Sequence, residues 1–193
     1  MPPSHLDAVA AAASDKYHNT ATMTSTSGHE VSEARQTQLG LYVTSEEANR
    51  LLESDDRTKL LDVRTPHEYV FVGHAEAAVN IPLATAADEV DPTTGSLRWV
   101  PNPRFVEQVS AWADKDDLVL VTCRSGGRSA MAVNALAASG FTNAYNVIDG
   151  FEGDKVDDPN SPDHGKRRVN GWKNSNLPWT YAVDPSRLRF DQQ

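Results

Sequence analysis

Residues 118–136 read LVLVTCRSGGRSAMAVNAL, and this segment carries the strongest structural signal in the chain. Its first four residues are typical of a buried strand, and residues 130–136 are typical of a helix. The chain's only cysteine, Cys123, therefore lies at the turn from a strand into a helix. In open α/β sheets, ligands bind outside the carboxyl ends of the strands, where such turns lie. The segment predicts an α/β fold with a functional site at Cys123.

The position of Cys123 predicts a reactive thiol. Unpaired amide groups and the helix dipole favour an anion at a helix N-terminus. Thiols in such places, or beside arginine, ionise more readily than free cysteine. Gly126 and Gly127 permit a tight turn and leave the backbone amides unobstructed. A lone cysteine is often an inert buried side chain, but the neighbouring glycines and arginines favour a thiolate nucleophile in a cradle of amides.

The composition limits the classes of protein to which the chain belongs. Its 193 residues suit one domain, and its formal net charge of −9 does not favour nucleic acid or an anionic membrane as a partner. A single cysteine excludes an internal disulfide and a cysteine-rich zinc site, and the histidines lack metal-ligand spacing. No apolar run is long enough to span a membrane. We expect a soluble protein without metal or cofactor.

Changes in composition divide the chain into a domain and two tails. Residues 1–38 are rich in Ala, Ser and Thr and lack a sustained apolar period, which predicts a disordered N-terminal tail. A single domain is predicted over residues 39–182, with an exposed polar insertion at residues 154–170. Residues 183–193 are predicted to form a C-terminal tail. The lone thiol favours a reducing compartment such as the cytoplasm. A periplasmic or organellar location is the alternative if the N-terminal tail is a leader.

Strand patterns alternate with helix patterns through the predicted domain. Thr44 and Glu47 form a capping box at the start of one helix, and Pro66 fits the first turn of another. Residues 91–101 are rich in turn-forming pairs, which predicts an irregular connection. The folded part is predicted to start near residues 41–43, with strands near residues 60–63, 79–82, 118–121 and 144–148. The alternation predicts a central, mainly parallel five-stranded sheet with helices on both faces.

Several short motifs occur in the order in which one known family has them. They are Leu61-Asp62-Val63-Arg64, Glu68-Tyr69, Gly73-His74, Asn80-Ile81-Pro82, residues 123–129, Asp149-Gly150-Phe151, Gly171-Trp172 and Leu177-Pro178-Trp179. Together they resemble the rhodanese (sulfurtransferase) family over residues 41–179. The chain departs from the family pattern at Ala75, at Ala77-Ala78 and in residues 150–153. The resemblance implies a rhodanese-like fold, and the departures bear on substrate choice more than on the reaction.

The length of the cysteine-containing loop separates two chemistries. Cys123 and Arg128 are spaced as Cys-x4-Arg, whereas the related phosphatases and arsenate reductases have Cys-x5-Arg, and Ser129 occupies that position here. A six-residue ring of amides is too narrow for a tetrahedral oxyanion and lacks the bidentate guanidinium that holds phosphate. It suits one sulfur atom, the terminal sulfur of a persulfide. The loop length therefore argues against a phosphatase or an arsenate reductase.

The resemblance implies a sulfurtransferase that works by double displacement. Cys123 is the expected nucleophile, and the expected substrate-binding residues are Arg124, Ser125, Gly126, Gly127, Arg128 and Ser129. Relatives with a cation directly after the cysteine use thiosulfate, so thiosulfate is the expected donor and cyanide or a thiol the expected acceptor. The alternative is a persulfide carrier, which passes sulfur to a protein partner and has little turnover on small molecules.

Charged residues outside the loop have two interpretations each. Asp62 and Arg64 lie at the end of a strand, and a structural ion pair, such as Arg64 with Glu68, is favoured over a direct role in the site. Residues 166–168, Lys-Arg-Arg, are favoured as a solvated surface run. The alternative is that they fold over the loop and attract an anion.

Overall fold

A parallel sheet of five strands forms the centre of the protein, in a computed structural model that describes residues 28–93, 95 and 97–189. The strands are β1 (Tyr42–Val43), β2 (Lys59–Asp62), β3 (His74–Ala75), β4 (Ala78–Asn80), β5 (Ala84–Val90), β6 (Leu97–Pro101), β7 (Val119–Thr122), β8 (Ala144–Val147) and β9 (Trp179–Thr180). The α-helices are α1 (Ser45–Ser54), α2 (Pro66–Val72), α3 (Phe105–Ser110) and α4 (Gly127–Ala138). The sheet has the order β1-β8-β7-β2-β4, with β7 in the middle.

The central strands are buried on both faces. Neighbouring strands pair in parallel, so that Leu60 of β2 lies opposite Leu120 of β7 on one side and Ala78 of β4 on the other. Every residue of β7 and β8 is buried, as in parallel sheets that helices cover on both sides. The parallel five-stranded α/β sheet that the sequence predicts is confirmed.

Helices pack on both faces because successive side chains of a strand point to opposite sides of the sheet. On one face, Leu61 packs in a cluster with Phe105 of α3 and Val133 of α4. On the other face, Leu60 packs in a second cluster with Leu51 of α1 and with α2. Because the five strands are parallel, the loops after β2, β7 and β8 lie at the same edge of the sheet. That edge carries the predicted site.

Both predicted helix starts are confirmed. The amide of Thr44 donates to Glu47 at 2.7 Å, and the amide of Glu47 donates back to the Thr44 hydroxyl at 3.3 Å. Pro66 is the first residue of α2, and Thr65 and Glu68 form a second capping box there. The second box fixes the carboxylate of Glu68 at the N-terminal turn of α2.

An antiparallel hairpin of β5 and β6 forms a separate two-stranded sheet. The sequence predicts an irregular connection over residues 91–101, and this is wrong for residues 97–101, which form β6. Residues of the hairpin are mostly exposed, so backbone pairing holds its strands without a buried face. A strand without a buried face need not show the alternating apolar pattern by which strands are recognised in a sequence.

The described end of the predicted N-terminal tail packs on the domain. Val31 is 3% exposed and belongs to a small apolar cluster that includes Ile148. The side-chain amide of Asn146 in β8 donates to the carbonyl oxygen of Arg35 at 2.8 Å. The domain therefore begins before residue 39. The composition of this segment is typical of a tail, but a single apolar side chain and a few hydrogen bonds attach it to the domain. The predicted disorder of residues 1–27 lies outside the described residues.

The C-terminal boundary predicted at residue 182 is also too early. Leu188 forms a β-bridge with Asn80, and Arg187 donates to the carbonyl oxygen of Ala77 at 2.8 Å. Residues 183–189 thus contact β4, which is an edge strand of the central sheet. Such a segment supplies partners for backbone groups that an edge strand leaves unpaired. The last four residues of the predicted tail lie outside the described part of the chain.

The polar insertion predicted at residues 154–170 is a loop with mostly exposed or half-buried side chains. Two isolated β-bridges, between Lys155 and Arg167 and between Val156 and His164, hold it together. The insertion begins directly after the loop that follows β8, and this position brings it close to the predicted site.

Candidate active site

Cys123 lies directly after β7, the middle strand of the sheet. Its side chain is 1% exposed and belongs to the same apolar cluster as Val63 and Val121. The hydroxyl of Ser129, which is also buried, donates to the Sγ atom of Cys123 at 3.4 Å. The thiol thus lies on the buried side of residues 123–129, which we call the cysteine loop, with a hydroxyl donor beside it.

The carbonyl groups of the cysteine loop accept hydrogen bonds from outside the loop. The amides of Phe151 and Glu152 donate to the carbonyl oxygens of the first two loop residues, at 2.8 and 2.9 Å. The side-chain amide of Asn146 donates to the carbonyl oxygen of Gly126 at 3.1 Å. β8 and the segment after it therefore hold the loop through the loop's acceptors and leave its donors unused.

The amide groups of the cysteine loop are those unused donors. Within the part of the chain that the structure describes, the N–H groups of residues 124–129 have no hydrogen-bond partner. Gly126 adopts a left-handed conformation with φ 90° and directly precedes α4, a helix of 12 residues. Successive amides around such a turn form a concave binding site for an anion. The positive end of the α4 dipole favours an anion at the same place.

Two glycines allow the cysteine loop and the segment after β8 to approach each other. A Cβ atom on Gly126 would lie 2.1 Å from the carbonyl oxygen of Ile148, and one on Gly150 would lie 2.7 Å from the amide nitrogen of Ser125. Both glycines also have positive φ angles. A Cβ atom on Gly127, by contrast, would have its nearest neighbour, the carbonyl oxygen of Ala34, at 3.9 Å. Of the two loop glycines, only Gly126 is therefore required by the backbone.

Glu68 of α2 holds Arg128 of α4 by two hydrogen bonds of 2.6 and 2.7 Å. The guanidinium also lies over the ring of Trp99 in β6, 4.9 Å from its centre. Burial raises the pKa of Glu68, but the hydrogen bonds and charge of Arg128 outweigh this effect, and the pKa falls to about 2. Arg128 was expected to attract an anionic donor. Glu68 balances that charge, and the two hydrogen bonds fix the guanidinium at the end of the cysteine loop.

Arg64 pairs with Asp62, not with Glu68 as the sequence suggests. Both side chains are completely buried, and their closest nitrogen–oxygen distance is 2.7 Å. The predicted structural ion pair is therefore present with a different partner, because the carboxylate of Glu68 is bound by Arg128. Because both side chains are buried, the Asp62–Arg64 pair does not contact solvent, whereas the cysteine loop carries an exposed charge.

Arg124 is the exposed cation of the cysteine loop. None of the ion pairs found among residues 28–93, 95 and 97–189 includes it. Its charge is therefore available to an anion that arrives from solvent, whereas the charge of Arg128 is balanced. Ser125 and Gly127 are half-buried between these two arginines, so the structure brings all seven predicted site residues to one turn.

Sequence reasoning missed three neighbours of the site: Glu68 as the partner of Arg128, Trp99 and Asn146. Asn146 carries a recognisable signal, because it is a polar residue inside the otherwise buried strand β8. Glu68 belongs to one of the recognised sequence motifs, but its partner is 60 positions away in the chain. Trp99 lies in the hairpin that was not predicted. The local sequence pattern thus does not indicate pairings between distant segments.

Two further features are absent from the described residues. No group of three or more His, Cys, Asp or Glu side chains is placed to hold a metal ion in that part of the chain. Over the same residues, no helix combines the length and the apolar composition that crossing a bilayer requires.

Comparisons with known proteins give matches to one family. The family model described as Rhodanese-like domain matches residues 44–156. An uncharacterized protein of Rickettsia conorii is 34% identical over 141 residues, which are 72% of this chain and 96% of that protein. The protein named Thiosulfate sulfurtransferase 16, chloroplastic, of Arabidopsis thaliana is 38% identical over 93 residues, 48% of this chain and 70% of that protein. The crystal structure of Rv0390 from M. tuberculosis has a TM-score of 0.57 at 30% identity, covering 72% of this chain and 96% of that chain.

The family match extends from the capping residue of α1 into the polar insertion and includes the whole cysteine loop. It agrees with the ordered motifs of the sequence and with the topology of the central sheet. Sulfur transfer is the general activity that the named relatives support. The chain belongs to the rhodanese-like domain family.

Proposed function

We propose that the protein is a thiosulfate sulfurtransferase, which moves the outer sulfur of thiosulfate to cyanide or a thiol through a persulfide on Cys123. The observation that carries this proposal is the row of amides at residues 124–129, which have no partner in the described chain and directly follow the only thiol. Family membership supports sulfur transfer in general. The donor, the acceptor and the persulfide are inferred from the site.

In the first step, the thiolate of Cys123 attacks the outer sulfur of thiosulfate. A bond forms between Sγ and that sulfur, the S–S bond of thiosulfate breaks, and its electron pair leaves with sulfite. Cys123 then carries a persulfide anion. The unpaired amides of the cysteine loop donate to its terminal sulfur and stabilise the charge, as an oxyanion hole stabilises a charged oxygen.

In the second step, an acceptor removes the terminal sulfur. Cyanide forms a bond to that sulfur, the S–S bond to Cys123 breaks, and its electron pair returns to Sγ as thiocyanate leaves. A thiol acceptor reacts in the same way and leaves as a persulfide. The hydroxyl of Ser129, 3.4 Å from Sγ, donates to the regenerated thiolate. Because sulfite leaves before the acceptor binds, the kinetics are ping-pong.

Arg124 favours a doubly charged donor. It is exposed next to the nucleophile, and the described residues offer it no carboxylate partner. An exposed cation at the entrance attracts an approaching dianion, and the attraction weakens as added salt screens it. Thiosulfate carries two negative charges and therefore benefits more than a singly charged donor.

The proposed enzyme acts on small molecules. It needs no metal or cofactor, because the thiolate of Cys123 is the nucleophile and the S–S bond of the donor is the bond that breaks. A reducing compartment such as the cytoplasm suits a lone reactive thiol. The net charge of −9 does not favour nucleic acid or an anionic membrane as a partner.

Steady-state kinetics test the proposal. The wild-type protein should release sulfite from thiosulfate and form thiocyanate, with parallel double-reciprocal plots at several cyanide concentrations. Cys123→Ser should abolish both products. Ser139→Ala is the matched control, because Ser139 lies at the opposite end of α4 from the cysteine loop and the variant should retain most of the rate. Sulfite release that persists in Cys123→Ser would contradict the proposal.

A persulfide carrier is the second candidate, and exposed apolar side chains beside the site favour it. Leu97 and Trp99 of β6 are 48% and 47% exposed, and Trp99 stacks on Arg128 of the cysteine loop. Apolar patches of this kind often mark contacts with other proteins. Sulfur transfer from a persulfidated donor protein that is much faster than transfer from thiosulfate would identify a carrier.

A further inference from the structure

A cationic cavity lies beside the cysteine loop. Its volume is about 350 Å³, and its lining includes Lys166, Arg167, Arg168 and Lys173. A cavity of this size is within the range of small-molecule sites. Four cations around one cavity contrast with the formal net charge of −9 of the whole chain. Among the described lining residues, Glu152 is the one carboxylate.

Short contacts connect the cavity to the cysteine loop. The amides of Glu152 and Gly153 donate to the carbonyl oxygen of Arg124 at 2.9 and 3.2 Å. Arg167 in turn donates to the carbonyl oxygen of Gly153 at 2.5 Å. The cavity therefore begins one hydrogen bond away from the residue that follows the nucleophile.

The charges of Arg124 and Arg167 act on each other. Burial and the positive charge of Arg124 lower the pKa of Arg167 below its usual value. Two guanidinium groups that lie close enough to repel each other are stabilised by an anion between them. Lys166 and Arg168 are exposed, in agreement with the solvated surface run that the sequence favours for residues 166–168, whereas Arg167 is half-buried.

The protein balances the charge of the cavity only in part. Lys166 and Arg168 share the carboxylate of Asp163, at 2.9 and 3.4 Å. Lys173 donates to the carbonyl oxygen of Val72 at 2.8 Å, and a carbonyl group carries no net charge. Positive charge is thus left over for a ligand.

We propose that this cavity binds the carboxylates of the sulfur acceptor, so that the preferred acceptor is a small thiol with two or more carboxylates. The inference rests on the proposed sulfur transfer at Cys123 and adds the chemical class of the acceptor. The carboxylates bind among Lys166, Arg167 and Lys173, while the thiol reaches past Arg124 to the terminal sulfur. The persulfide anion and the thiol R–SH give R–S–SH and the Cys123 thiolate: one S–S bond forms, one breaks, and the thiol proton leaves with the product.

Equilibrium binding tests the cavity without turnover. The probe is S-methylglutathione, a tripeptide thioether that has two carboxylates and cannot accept sulfur. Lys166→Gln/Arg168→Gln removes two cavity cations whose side chains are 57% and 62% exposed, so the fold should tolerate it. Arg50→Gln/Lys115→Gln removes two exposed cations elsewhere and is the matched control. The dissociation constant should rise about tenfold in the cavity variant, as expected for lost hydrogen bonds to charged groups, and change less than about twofold in the control.

Acceptor kinetics give a second readout on the same variants. With thiosulfate as donor, kcat/KM for glutathione should fall about tenfold in Lys166→Gln/Arg168→Gln, by the same loss of charged hydrogen bonds. The values for cyanide and for 2-mercaptoethanol, a thiol without carboxylates, should stay unchanged. The proposal is overturned if the wild-type protein does not bind the probe, or if both double variants bind it equally. Failure of the proposed function is a different result, in which the wild-type protein releases no sulfite from thiosulfate.

Discussion

Glu68 and Arg128 form a two-pronged ion pair, with nitrogen–oxygen distances of 2.6 and 2.7 Å, that joins the first turn of α2 to the first turn of α4. Their side chains are 22% and 21% exposed. A bidentate pair fixes the orientation of a guanidinium as well as its distance. The end of the cysteine loop is thereby tied to a second helix, and the loop's unpaired amides are held in place before any ligand arrives.

The Glu68–Arg128 pair predicts how stability depends on pH. The folded protein lowers the pKa of Glu68 from 4.5 to about 2, so the unfolded chain binds more protons between these values and stability rises with pH there. The full contribution is present above about pH 5 and is lost as the pH falls toward 2. It amounts to at most about 3 kcal/mol, since each unit of pKa corresponds to about 1.4 kcal/mol.

Urea unfolding of the wild-type protein and of Glu68→Gln checks this dependence. The difference in unfolding free energy between the two proteins should be largest at pH 6 and should shrink as the pH is lowered toward 3. A difference that stays constant over that range would show that folding does not lower the pKa of Glu68.

Replacing Arg128 by lysine should lower activity although it keeps the charge. A lysine ammonium cannot form both hydrogen bonds to Glu68, so the end of the cysteine loop loses its fixed orientation. We expect kcat/KM for thiosulfate to fall at least tenfold, a modest fraction of what loss of one anion-stabilising donor costs in enzymes. Arg124→Lys keeps charge at an exposed position and should change kcat/KM less than about threefold, because long-range attraction depends on charge rather than on shape. Equal losses in the two variants would contradict the positioning role of Arg128.

The two glycines of the cysteine loop should respond differently to alanine. Gly126→Ala places a Cβ atom 2.1 Å from the carbonyl oxygen of Ile148 at a positive φ angle, so it should cost more than about 2 kcal/mol of stability and most of the activity. Gly127→Ala places a Cβ atom 3.9 Å from its nearest neighbour, at the first position of a helix, where alanine is favoured. It should change stability by less than about 1 kcal/mol. Urea unfolding and sulfite release measure both effects. A stable, active Gly126→Ala variant would show that the turn is not the one described.

Asn146 should be needed for both stability and activity. Its side chain donates to the carbonyl oxygens of Arg35 and Gly126, at 2.8 and 3.1 Å, and so joins the N-terminal segment to the cysteine loop. Asn146→Leu keeps the volume but leaves both buried carbonyls unpaired, which should cost about 2 kcal/mol in unfolding free energy and lower kcat. Asn143→Leu removes one exposed hydrogen bond and is the control, expected to cost less than about 1 kcal/mol. An unchanged kcat in Asn146→Leu would show that the hydrogen bonds of Asn146 are not needed for catalysis.

The sequence was sufficient for the features that depend on neighbouring residues. The apolar runs at β2, β7 and β8, the capping box at Thr44 and the turn at Gly126 each follow from a few adjacent side chains, and the structure shows all of them. The parallel sheet followed because strand and helix patterns alternate, and the order of the motifs identified the family.

The features that the sequence did not predict depend on contacts between distant segments. The exposed strand β6 shows no alternating pattern because its pairing with β5 buries no face. Val31 is a single apolar residue in a polar segment, and its burial is decided by Ile148, which lies far along the chain. Arg64 pairs with Asp62, and Glu68 pairs with Arg128, which lies 60 positions further along the chain, so the fold rather than the local sequence decides both partners.

Intact mass spectrometry of the protein after incubation with thiosulfate tests the stored sulfur on Cys123 most directly. The account predicts a mass gain of one sulfur atom, removal of that gain by cyanide, and no gain in Cys123→Ser. An unchanged wild-type mass, under conditions in which sulfite is nevertheless released, would contradict a persulfide held by the cysteine loop.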